Sequence, residues 1–76
     1  MIHYRVSIND KKNYQVVLLN GQWNEKQGAI RDAGWIADHL ESDIIFVTRW
    51  ENGFGGRAEV YKKIGEDWIF CPNYWL

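Results

Sequence analysis

Hydrophobic and polar side chains alternate strictly at the start of the chain, with Ile2, Tyr4, Val6 and Ile8 on one face and His3, Arg5 and Ser7 on the other. That period of two predicts a half-buried strand over residues 2–8. Asn9-Asp10-Lys11-Lys12-Asn13 is polar turn chemistry, and residues 14–19 return as a second strand, most simply an antiparallel hairpin. Asn20-Gly21 turns the chain again.

The period then changes. Ala29, Ile30, Ala33, Ile36, Ala37 and Leu40 fall within about 120° of one another at 100° per residue, which makes one apolar helical stripe. Asn24 with Gln27 three residues on has the form of a capping box, so the helix is predicted over residues 25 to about 41. Gly28 and Gly34 inside it each cost up to about 1 kcal/mol relative to Ala, so the helix depends on packing against a sheet. Three more strands are predicted over 44–50, 57–64 and 68–71, separated by the loop Asn52-Gly53-Phe54-Gly55-Gly56 and the tight turn Gly65-Glu66-Asp67. Pro72 ends the last pairing and leaves the aromatic tail Asn73-Tyr74-Trp75-Leu76.

The order strand, strand, helix, strand, strand, strand, with hairpin-length connections, predicts an α+β fold. A mainly antiparallel sheet of about five strands carries one helix on one face. Ala33, Ile36, Ala37 and Leu40 are expected against the sheet, and Trp68, just after a tight turn, is expected in the core. At 76 residues the chain is one domain, 1–76, with no linker or repeat. Residues 14–19 and 44–50 carry large apolar groups on both faces. One helix covers only one of them, so either the sheet curls on itself or apolar surface is kept for a partner or a second copy of the chain.

Composition narrows the function classes. Hydrophobic residues at 46% and charged residues at 25% exclude disorder. Nine Lys and Arg against ten Asp and Glu leave a net charge of −1, which fits neither a DNA-mimicking polyanion nor a basic DNA-coating protein. Cys71 is the only cysteine, so no disulfide forms within the chain. With no signal-like start and no apolar run near the roughly 20 residues of a membrane span, a cytoplasmic protein is expected.

The candidate chemistry is sparse. His3, His39 and Cys71 lack the paired spacing of a zinc site, and Glu25, Asp32, Asp38 and Glu41 read as solvated helix carboxylates. No nucleophile and base stand out, so neither an enzyme nor a cofactor or metal is expected. Gly53-Phe54-Gly55-Gly56 feeds a strand rather than a helix N-terminus, which favours a hairpin over a phosphate loop. It also departs from the RNA-recognition pattern, with Asn52 in place of the leading cation. Arg49, Trp50, Phe54, Arg57, Tyr61, Lys62 and Lys63 interleave cations and aromatics as a single-strand nucleic-acid surface would. Residues 39–76 nonetheless hold four Lys and Arg against six Asp and Glu, so direct nucleic-acid binding is the second alternative.

Trp35 is the more informative residue. It lies about 160° from the centre of the apolar stripe, beside Arg31, Gly34 and Asp38. Either the Tyr74-Trp75-Leu76 tail or a loop covers it, or a partner does, and an outward Trp beside Arg has the composition of an interaction hot spot. The candidate partner contacts are therefore Arg31 and Trp35 on the helix, with Arg57, Lys62 and Lys63 as the densest cations of the distal hairpin.

Tyr61 to Cys71, read as Y-K-x-x-G-x-x-W-x-x-C, resembles the C-terminal hairpin of small phage-encoded type I-F anti-CRISPR proteins. Ala33 to Ala37, A-x-x-I-A, and the Asn52-Gly53 turn stand in similar order, so the likeness covers roughly half the chain. The glycine-rich loop is longer here, and the N-terminal hairpin has no counterpart. The resemblance implies an inhibitor that binds a bacterial RNA-guided surveillance complex and blocks access to target DNA, and no contact residue is carried over from it. Together these features lead to the expectation of a noncatalytic protein-interaction module whose partner is a larger protein or ribonucleoprotein.

Overall fold

The computed structural model describes residues 1–72. Its elements run β1 (Ile2–Asp10), β2 (Gln15–Leu18), α1 (Lys26–His39), β3 (Ile44–Glu51), β4 (Phe54–Gly55), β5 (Glu59–Ile64) and β6 (Asp67–Phe70). All pair antiparallel in one sheet, in the order β2-β1-β3-β5-β6, with β4 also on β3. The molecule is a small α+β domain with its single helix packed against the sheet, as the alternating pattern predicts.

The sixth strand comes from the segment expected to be a plain loop. Asn52 (φ 51°) and Gly53 (φ 85°) form the two-residue turn that Asn-Gly favours, and Phe54 folds straight back opposite Glu51. Trp50 faces Gly55 while Val47 faces Glu59, so three steps along β3 are matched by four along its neighbour. That extra residue is a bulge, and it divides one continuous hairpin arm into β4 and β5.

Val6, Ile8, Ile45, Val47 and Tyr61 form the sheet's share of the core, and Ala29, Ile30, Ala33 and Ala37 the helix's. Small helix residues let the backbone settle close to the sheet. Ile36 and Leu40, expected to be buried, are half-buried at the margin of this cluster. Trp68 is likewise half-buried against it rather than enclosed, because β6 is an outer strand. The helix is also tied at both ends to β5, by Lys26–Glu59 at 2.9 Å and Lys63–Asp38 at 2.6 Å. Exposed pairs of this kind contribute about 0–1 kcal/mol each, so they orient the helix more than they stabilise it.

Both helix ends depart from the predicted boundaries. At the start Glu25 is the N-cap, with extended backbone and no side-chain cap, so the Asn24–Gln27 box does not form. The entry is held instead by Trp23, which exchanges backbone hydrogen bonds of 2.7 and 3.0 Å with Tyr4 and donates its indole N–H to Asp32 at 2.9 Å. At the end Ser42 N–H donates to the Ala37 carbonyl and Glu41 N–H to that of Asp38, with Glu41 left-handed at φ 54°. This is a Schellman ending with Glu where glycine is usual. Glu41→Gly is accordingly expected to stabilise the fold by about 0.5–1 kcal/mol, read as a higher urea midpoint.

The β1–β2 turn is organised by Asp10, whose carboxylate accepts from the Asn13 side-chain amide at 2.9 Å and from the Lys12 and Asn13 backbone N–H groups. The Asn13 amide, followed by these backbone donors, holds its pKa below the usual 3.8 against the opposing effect of burial. Asp32, through the Trp23 indole and then Arg31, and Asp43, through Lys11, are lowered in the same sense. A depressed folded-state pKa stabilises the fold above the unfolded value and ceases to do so as pH falls through the folded one. Stability is thus expected to hold down to about pH 4 and decline below it, with a shallower decline in Asp10→Asn, as urea unfolding across that range would show. Among the described residues no helix is long and apolar enough to cross a membrane.

Candidate interaction groove

A groove of about 630 Å³ runs between the outer side of α1 and the β5–β6 hairpin. Helical geometry turns Trp35 away from the sheet, and at 67% exposure it is the groove's most prominent apolar group. Its ring lies 4.3 Å from that of His39, whose Nδ1–H donates to the Trp35 carbonyl oxygen at 2.9 Å. His39 thereby holds one side of the indole and leaves the other to solvent. One turn earlier Arg31 stands exposed, its Nε 3.2 Å from Asp32 Oδ1. Lys63 reaches across from β5 to Asp38 and forms the opposite wall with Trp68 and the turn carboxylates Glu66 and Asp67.

Gly34 shapes the floor. Helical periodicity sets this glycine beside the outward Trp35, yet Gly34 is buried. A side chain there would collide with Trp68, whose Cδ1 would lie 2.8 Å from an added Cβ. The missing side chain is the seat of the Trp68 indole. Trp50 is seated over Gly55 in the same way, its ring 2.9 Å from where a Cβ would lie, whereas Trp23 stands at ordinary van der Waals distance, 3.5 Å or more, from a Cβ on Gly21 or Gly28. Trp35 has no such seat, and among the described residues His39 is the aromatic ring packed on it. The tail proposed to cover it, Tyr74-Trp75-Leu76, lies outside the described residues.

Of the five candidate contacts, the fold brings Arg31, Trp35 and Lys63 together in this groove. Arg57 goes elsewhere, to a cleft of about 480 Å³ shared with Lys26, Arg49 and Phe70. Lys62 points from the opposite face of β5, because side chains alternate along a strand and Lys63 faces the helix. The spacing of Lys62 and Lys63 therefore separates what looked like one basic cluster. Asp38, expected to be solvated, is the partner of Lys63, and Asp32 is occupied by Trp23 and Arg31.

Sequence reasoning missed Phe70 as the exposed aromatic of the cleft, at 45% exposure. The signal available was its place on a final strand with no later partner. Among the described residues no group of three or more His, Cys, Asp or Glu is placed to hold a metal ion. The fold is a small α+β domain, and its groove has a mixed aromatic and charged lining. Compared with family models, curated proteins and solved structures, the chain matches none.

Proposed function

We propose that this protein is a noncatalytic docking module that acts by covering part of a larger protein or ribonucleoprotein, with the α1–hairpin groove as its contact surface. The observation that carries this reading is Trp35, a large aromatic held by His39 yet 67% exposed, between the cations Arg31 and Lys63. Such a side chain gains most when a partner desolvates it, while Arg31 offers a planar donor to a carboxylate or phosphate at the rim. The resemblance over Tyr61 to Cys71 gives the reading its particular form: a phage-encoded inhibitor acting in the bacterial cytoplasm on a type I-F surveillance complex. The test is a plaque assay in cells whose type I-F system targets a phage. Expression of the wild-type protein is expected to restore plating and Trp35→Ala to lose that effect; unchanged immunity with the folded wild type would refute the CRISPR form.

The cleft around Arg57 favours a second reading. Lys26, Arg49, Arg57, Glu59 and Phe70 line it, and while Lys26 pairs with Glu59 and Arg49 with Glu51, Arg57 has no hydrogen-bond or ion-pair partner among the described residues. Cations around an exposed aromatic suit single-stranded nucleic acid. A salt-dependent gel shift with oligonucleotides, lost in Arg57→Glu, would favour this reading over protein docking.

A further inference from the structure

Residues 13–24 are the longest stretch of the chain without a charged side chain, twelve in a row where a quarter of all residues are charged. The fold places that stretch along one outer edge of the sheet, as β2 and the single bridge of Trp23 to Tyr4. Edge strands normally carry Lys, Pro or a bulge that discourages further pairing. β2 has none of these, and it exposes Val16 by 61% and Leu18 by 58%.

The hydrogen-bond phase says what would fit. Leu19 N–H donates to the Val6 carbonyl at 2.9 Å, and alternation along an antiparallel pair then directs the N–H and C=O groups of Gln15 and Val17 toward β1. Those of Val16 and Leu18 point outward. We infer that β2 pairs antiparallel with β2 of a second copy of this chain, about a two-fold axis at Val17. In that register Val16 of each copy lies opposite Leu18 of the other, and each such pair exchanges both hydrogen bonds.

The same register places the four exposed apolar side chains together on the sheet face away from α1. It is also silent electrostatically, because residues 14–20 of one copy face residues 20–14 of the other and none is charged. A foreign strand would have to match this pattern, whereas a second copy matches it by symmetry. The contact is small beside the roughly 1,200 Å² of a tight complex, so the dimer forms at high protein concentration and exchanges freely. It uses a surface separate from the α1 groove and stands or falls independently of the docking proposal.

Light scattering over a dilution series of the full chain tests this. The mass is expected to rise toward twice the monomer's as concentration reaches hundreds of micromolar, and to stay monomeric throughout in Val16→Lys/Leu18→Lys. Both residues are exposed, so that variant folds, which circular dichroism verifies. In a Cys71→Ser background, Val17→Cys is expected to crosslink with itself, because directly opposed residues fall within disulfide span, and Val16→Cys is not. A wild-type mass that stays monomeric, a dimer that survives the double lysine variant, or one lost instead in Ile69→Lys on β6 overturns the inference. Crosslinking through Val16→Cys rather than Val17→Cys overturns the register.

Discussion

Gly34→Ala is expected to destabilise the protein by about 1–3 kcal/mol, although the same change in an exposed helix stabilises it by about 1 kcal/mol. The sign reverses because the added methyl would meet the Trp68 indole, with Cδ1 at 2.8 Å. Gly34 is buried, so the helix cannot turn to release the contact, and Trp68 has to leave its seat at the core margin. Trp68→Ala alone is expected to cost about 2–3 kcal/mol, below the full cost of a core tryptophan because the side chain is half-buried. The decisive measurement is the cycle between the two. In the Trp68→Ala background, Gly34→Ala no longer has an obstacle and is expected to become neutral or stabilising, giving a coupling well above the 0.5 kcal/mol that independent sites show. Additive effects in urea unfolding would mean that Gly34 is not the seat of Trp68.

The second large effect is on binding rather than folding. Trp35→Ala is expected to leave stability within about 0.5 kcal/mol, since the side chain is 67% exposed and its aromatic contact is with His39 at the surface. Partner affinity is expected to fall by about 2 kcal/mol or more, close to thirtyfold, the scale of a central aromatic in an interface. Arg31→Ala, at the rim and already 3.2 Å from Asp32, is expected to cost less than 1 kcal/mol. Calorimetry of the folded variants against a purified type I-F surveillance complex measures both. An early-melting Trp35→Ala that binds with unchanged affinity would assign Trp35 to the fold instead.

Local pattern carried the architecture. The period of two in β1, the Asn-Gly turn before Phe54, and the apolar stripe of α1 each act over a few neighbouring residues, so strand, turn and helix are legible without knowing what lies opposite. The same geometry turned Trp35 outward, because 100° per residue is a property of the helix and not of its surroundings. Boundaries were less legible where a distant group set them. The helix begins at Lys26 because Tyr4 and Asp32 hold Trp23, and no spacing around Asn24 reveals either partner.

What the sequence by itself determined is therefore the helix, five of the six strands, their order, and which helix face meets the sheet. Only the tertiary structure decided what Gly34 and Gly55 are for, since a missing side chain has no signature until the indole that occupies its space is seen above it, as Trp68 is above Gly34. It also decided that Lys63 joins Arg31 and Trp35 while Lys62 and Arg57 do not, because strand alternation and the β4–β5 bulge send neighbouring cations to different sides. And it decided that the uncharged residues 13–24 form an open edge: charge is read along the chain, but an edge exists only once the strand order β2-β1-β3-β5-β6 has left β2 without a neighbour on one side.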